Sequence, residues 1–223
     1  MEGILRSRCA ESLLPMTTSK NIAVAKKVCL ATIVLLCCSR FGKAQESSFP
    51  SKLNEFGIWG GYAPFSSQLL GTTSGRQLLD IGLRYGRVIK HGGKVQVDYT
   101  LDVLPVATMR QPTSSGHEVV YEGGVSPVGL RVDFLPRRRS QAFIAGTAGF
   151  VASVRPIPRD VPGGTLFNFT FDFIQIGFRR FNTNGNRAWT FGYKLQHISN
   201  AFRTNVNPGV DENVFFAGYS FYR

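Results

Sequence analysis

The chain has 223 residues, 43% of them hydrophobic and 18% charged, with 26 Lys/Arg against 14 Asp/Glu, and it is long enough for one folded domain. All four cysteines, Cys9, Cys29, Cys37 and Cys38, fall within the first 44 residues, a segment expected to be removed, so no disulfide, thiol chemistry or cysteine metal site is expected in the mature protein. The remainder holds 19 basic and 12 acidic residues, a surplus spread along the chain with only the triplet Arg137, Arg138 and Arg139 clustered; this disfavours a nucleic-acid footprint and suits an anionic lipid surface.

In chain order, the first element is a targeting signal. The basic pair Lys26 and Lys27 precedes an apolar run over residues 28–38, and Ala44 offers a small residue before Gln45, the pattern of a secretory signal with an N-terminal extension over 1–44. Met16 is an alternative start. The run is about half the length of a spanning helix, which disfavours a permanent anchor. Leu36, in front of Cys37, disfavours a lipoprotein.

From residue 45 onward no stretch keeps helical period, whereas period-2 alternation returns about every twenty residues. Eight strands are expected at about 54–63, 76–90, 94–105, 119–135, 141–154, 165–181, 187–199 and 212–222. In the third, Lys94, Gln96, Asp98, Thr100 and Asp102 share one face, and Val95, Val97, Tyr99, Leu101 and Val103 the other. Leu79, Ile81, Leu83 and Tyr85 stand likewise against Asp80, Gly82, Arg84 and Gly86. Alternation alone also fits a soluble sandwich. Long strands, aromatics on the apolar face, and an opposite face of glycines and charges point to a membrane barrel.

The expected fold is therefore all-β, an eight-stranded antiparallel up-and-down transmembrane barrel over 45–223, located in the bacterial outer membrane. Short connections at 91–93, 136–140 and 182–186 alternate with long ones around 64–75, 106–118, 155–164 and 200–211, which places the long ones outside. The Ser/Thr/Gly-rich segments 71–75 and 110–116 are expected to be mobile loops. Inward charges, among them Asp80, Arg84, Asp98, Asp102, Arg131 and Asp133, are expected to form a salt-bridged plug, since a barrel this small has no open channel. Trp189, Tyr193, Tyr219 and Tyr222 read as lipid-facing wall and interfacial belt. The terminal Arg223 departs from the aromatic ending usual for such barrels.

The seventh expected strand carries the chemical signal. Its outward series is Trp189, Phe191, Tyr193 and Leu195, and then His197 and Ser199 continue it at the external end. Residues two apart on one strand face lie about 7 Å apart, within reach of an imidazole and a hydroxyl. Serine needs a base to take its proton, and the base needs a third group to hold its tautomer. Asp211 and Glu212 are the candidate acids; Asp211 has the outward parity of Phe215, Ala217, Tyr219 and Phe221, and Glu212 the inward one.

His197-Ile198-Ser199-Asn200-Ala201, Asn207-Pro208-Gly209-Val210-Asp211 and the closing aromatic strand resemble the outer-membrane lipid A 3-O-deacylases. Gly124-Val125-Ser126-Pro127-Val128-Gly129-Leu130-Arg131 is similar to that family as well. The resemblance is concentrated in 193–222. It implies an eight-stranded barrel with a His-Ser-acid triad on its outer wall and cleavage of the ester-linked acyl chain at position 3 of lipid A. On that reading Ser199 is the nucleophile, His197 the base, Asp211 the acid with Glu212 as alternative, and Asn200 or an amide beside it the oxyanion donor, a contribution of about 3–4 kcal/mol. The family acid is often Glu, so the shorter Asp211 is a departure.

The implied partners are lipid A, or lipopolysaccharide, and outer-membrane lipids. No nucleic acid, cofactor or metal is expected, and a homodimer stays open. His91 and His117 read as solvated loop residues. Two other readings stand beside the deacylase: a non-catalytic small barrel, scaffold or adhesin, in which His197 and Ser199 border the headgroups, and an esterase for another acylated lipid.

Overall fold

The computed structural model describes residues 49–223; the expected targeting segment, 1–44, lies outside them. Eight long strands follow one another: β1 (Asn54–Ala63), then, after a two-residue β2 (Ser66–Ser67), β3 (Gln77–Lys90), β4 (Val95–Thr113), β5 (Gly116–Phe134), β6 (Ser140–Ile157), β7 (Thr165–Phe181), β8 (Arg187–Ser199) and β9 (Val210–Tyr222). Each long strand pairs antiparallel with the next, and β1 also pairs with β9, so the sheet closes on itself. Closure removes both sheet edges, as a sheet in lipid requires.

The alternation turns each strand inside out relative to a soluble protein. Along β4, Gln96, Asp98, Thr100 and Asp102 are buried in the lumen, while Val95 and Val103 are exposed on the outer wall. Aromatic rings gather outside near the end with the short turns: Phe56 stacks on Phe221 with centroids 6.0 Å apart, and Trp189 tilts against Tyr219 at 4.9 Å. Such girdles mark the interfacial edges of outer-membrane barrels.

The lumen is filled. Arg131 binds Glu55 and Asp98, both at 2.6 Å, and Asp133 at 3.1 Å; Arg179 adds a 2.7 Å bond to Asp133. Arg84 grips Asp102 with two nitrogens, at 2.8 and 2.7 Å. The inward charges are thus a salt-bridged plug, with Lys194 reaching Asp80 and Asp172 further up. Trp59 packs over Gly82, where a Cβ would lie 2.3 Å from the ring. Above this layer Leu78, Met109, Val120, Ile198, Val210 and Val214 form an apolar cluster, with Glu122 and Glu212 also buried. Phe49 closes the opposite mouth against Phe181 and Tyr222.

Two expectations need correction. The connection expected over 106–118 is not a loop: β4 and β5 continue through it and turn only at Ser114 and Ser115. The alternation is interrupted at Pro105 and Val106, both facing outward, because a register shift between Leu104 and Ala107 places an extra residue there. A bulge is where a strand tolerates proline, which has no N–H for the ladder. Beyond it the pattern resumes in shifted phase, with Ala107, Met109 and Gln111 inward. The second correction is Tyr222, expected on the outer wall. It points inward, 5.4 Å from the Phe181 ring and beneath the Arg179 guanidinium.

Candidate active site

Strand β8 carries His197 and Ser199 to the external end of the outer wall. The register with β9 sets His197 opposite Asp211 and Gln196 opposite Glu212. Facing residues on one side of a sheet touch. Nδ1 of His197 accordingly lies 2.6 Å from Oδ1 of Asp211, with the His197 side chain 14% exposed and that of Asp211 fully buried. Glu212 points into the lumen, where neither carboxylate oxygen has a hydrogen-bond partner among the described residues. Of the two candidate acids, only Asp211 meets the histidine.

The second oxygen of Asp211 is also occupied. Oδ2 accepts the amides of Leu69, Leu70 and Gly71 at 2.7, 2.7 and 2.9 Å. These come from the connection between β1 and β3, which is tied down rather than loose. Thr72 donates its amide and hydroxyl to the Pro208 carbonyl at 2.6 and 2.7 Å, and the Thr73 hydroxyl donates to the Gly209 carbonyl at 2.5 Å. Gly209 adopts φ +55°, and a Cβ there would lie 2.8 Å from Cε1 of His197. The turn Asn207-Pro208-Gly209 therefore seats the imidazole as well as starting β9.

With Nδ1 facing a carboxylate, the network assigns the ring proton to Nδ1 and leaves Nε2 as the acceptor. Such a histidine can take a proton from a nearby hydroxyl. Ser199 lies one outward position further on, opposite Phe169 on β7. Its hydroxyl makes no hydrogen bond among the described residues. Contacts between a nucleophile and its base are commonly long without substrate and tighten when it binds.

The expected oxyanion donor is employed otherwise. The Asn200 side chain is buried, and its Nδ2 lies 2.7 Å from the Gly163 carbonyl, 2.7 Å from the Val206 carbonyl and 2.9 Å from the Thr204 hydroxyl; Oδ1 accepts the Phe202 amide at 2.8 Å. Its amide hydrogens are spent on holding the β8–β9 loop. The backbone amide of Ala201 donates no hydrogen bond among the described residues, and Ala201 and Phe202 take φ of 51° and 59°.

The sequence reading missed two parts of the site: the amide triplet at 69–71, for which the sequence holds no signal, and an aromatic wall on β7. The wall was legible in the alternation of Phe167, Phe169, Phe171 and Phe173. Phe167 packs against Phe150 and Phe169 at 5.4 and 5.7 Å, and Phe173 lies 5.9 Å from the His197 ring. Among the described residues, no group of three or more His, Cys, Asp or Glu side chains is arranged to hold a metal ion.

A closed barrel with an apolar outer wall, a filled lumen and a histidine–carboxylate pair on the outside defines an outer-membrane β-barrel whose polar site faces lipid. The family model described as lipid A 3-O-deacylase (PagL) matches residues 91–220, a span that includes His197, Ser199, Asp211 and Glu212. The chain belongs to that family. The crystal structure of the outer membrane enzyme PagL shares the fold, with a TM-score of 0.56 at 16% identity, covering 76% of this chain and 99% of that one. Neisserial surface protein A (NspA) superposes with a TM-score of 0.47 at 11% identity, covering 76% and 97%. OprG from Pseudomonas aeruginosa gives 0.40 at 14% identity, covering 77% and 98%. Comparison with curated protein sequences gives no match.

Proposed function

We propose that this chain hydrolyses the ester that links the 3-O-acyl chain to lipid A in the outer leaflet, after export and removal of residues 1–44. Family membership supports the reaction class. The observation that carries the residue assignment is the 2.6 Å contact between His197 and the buried Asp211, on the lipid-facing wall beside Ser199.

In this reading the Ser199 oxygen attacks the ester carbonyl carbon as its proton passes to Nε2 of His197. Asp211 holds the imidazole through Nδ1 and stabilises the imidazolium. The tetrahedral oxyanion is met by a backbone donor; with the Asn200 amide engaged by Oδ1 of Asn207 at 3.2 Å, the candidate is the amide of Ala201. Collapse breaks the bond to the sugar oxygen, which takes the proton from His197 and leaves as the 3-hydroxyl. Water, deprotonated by the same histidine, then attacks the acyl carbon, and Ser199 leaves with the proton that His197 returns, freeing the fatty acid. No cofactor enters. The phenylalanines of β7 offer the departing chain an apolar track at membrane depth, and a site for a water-soluble ester has no use for one.

The test is mass spectrometry of lipid A from a Gram-negative host expressing the chain. Loss of one hydroxyacyl group from position 3 is the expected result; intact lipid A beside a correctly inserted barrel would return the chain to a non-catalytic role, and cleavage of phospholipid alone would change the substrate.

Gly209→Ala supplies a further check. The added Cβ meets His197 Cε1 at 2.8 Å, and φ +55° suits alanine poorly. An ångström of displacement in a reacting group costs about 100-fold in rate. A loss of that order in kcat, with heat-modifiable migration retained, is expected in detergent-micelle assays of the purified barrel.

A further inference from the structure

The connection between β1 and β3 takes no part in the chemistry above, yet it converges on the acid. Here β2 pairs with Asp211 and Glu212, Thr73 bridges to Val210, and between them the chain crests over the external end of β9. At the crest three consecutive amides point at one oxygen atom, Oδ2 of Asp211. The other oxygen is left to His197. Hydrogen bonds to an ionised acceptor are about twice as strong as neutral ones, and three of them fix the plane of a carboxylate that could otherwise rotate about its Cβ–Cγ bond.

Burial of side chains does not hold the crest in place. Leu69 and Leu70 are 69% and 54% exposed, so their side chains do not bury themselves under the loop. Gly71 packs directly on Gly209, where a Cβ would lie 2.6 Å from the backbone carbonyl carbon and oxygen. Because Gly209 in turn touches the His197 ring, the crest, the turn and the imidazole form one packed unit. The segment matched by the family model starts at residue 91, so this loop lies outside it.

We infer that the backbone of Leu69, Leu70 and Gly71 is a positioning clamp that fixes the Asp211 carboxylate so that Oδ1 is presented to His197. The inference rests on Asp211 being the acid of the proposed site. In this inference the three backbone amides act through Asp211.

Leu70→Pro deletes the central amide, and Leu70→Ala keeps it. Combined with Asp211→Asn, the proline variant forms a double-mutant cycle on the purified full-length barrel in mixed micelles with lipid A. Two quantities are read: kcat against KM, and the far-downfield proton resonance of His197 Nδ1–H. Leu70→Pro is expected to lower kcat on the order of 10- to 100-fold with little change in KM and to weaken or shift the resonance. Leu70→Ala should retain most of the rate. Adding Leu70→Pro to Asp211→Asn should cost nothing further, because the clamp has lost what it positions. If the proline variant does not insert, Gly71→Ala displaces the same loop and enters the same cycle. Wild-type turnover and an unchanged resonance in the clamp variants, or fully additive losses with Asp211→Asn, would overturn the clamp alone. An inactive wild-type barrel would instead overturn the ester-hydrolase reading beneath it.

Discussion

Replacing Ser199 by alanine is expected to lower ester hydrolysis about 10^4-fold or more without unfolding the barrel. In the proposed mechanism the Ser199 hydroxyl is the nucleophile, so its loss would remove the covalent route. The side chain is half-buried and makes no hydrogen bond among the described residues, so the substitution leaves no buried partner stranded. Initial rates on lipid A in micelles, for wild type and variant at equal amounts of heat-modifiable protein, give the ratio. A variant that kept even a tenth of the activity would show that a different nucleophile, or water activated directly by His197, does the work.

The second large effect concerns stability. Arg131 is 1% exposed and holds Glu55, Asp98 and Asp133 together at the level of the plug. Arg131→Met would leave these three carboxylates to Arg179, which lies 2.7 Å from Asp133 but 3.4 Å from Glu55 and 3.7 Å from Asp98. Removing one partner from a buried ionic network costs about 3–5 kcal/mol, because the charges left behind keep their desolvation penalty without the attraction. Urea titration in lipid vesicles, followed by tryptophan fluorescence, should show the midpoint fall accordingly. Adding Glu55→Gln and Asp98→Asn to the same barrel should restore part of the loss, since amides carry no charge to compensate. An unchanged midpoint would mean that water reaches the plug and screens it.

Much of this was legible before any coordinates. Wet residues alternate with apolar ones so regularly along β3, β4 and β5 that the inversion of inside and outside follows from period 2 alone, and the parity of β8 and β9 already placed His197, Ser199 and Asp211 on one face. Parity carries no information about bulges, and this is why β4 was lost at Pro105 although it continues to Thr113. Parity sets Tyr222 on the opposite face from Phe221, so the phase of the terminal strand, and not its aromatic character, predicts that Tyr222 points inward. The site's remaining parts depend on contacts between segments far apart in sequence. The resemblance assigns Asn200 as oxyanion donor, whereas its acceptors, Gly163, Thr204 and Val206, come from two loops whose course no periodicity describes. The amides of Leu69, Leu70 and Gly71 lie some 140 residues from the carboxylate they bind, and backbone donors leave no trace in side-chain identity.

The filled lumen has a kinetic consequence. Since the lumen is packed and His197 and Ser199 lie on the outer wall, the lipid ester of the proposed reaction would approach by sliding within one leaflet, and its encounter with the barrel would take place in two dimensions. The concentration that sets the rate is the mole fraction of ester among the neighbouring lipids, not the amount per litre. Crowding of that leaflet by other lipids then acts as a competitive influence on turnover, even when none of them binds the protein.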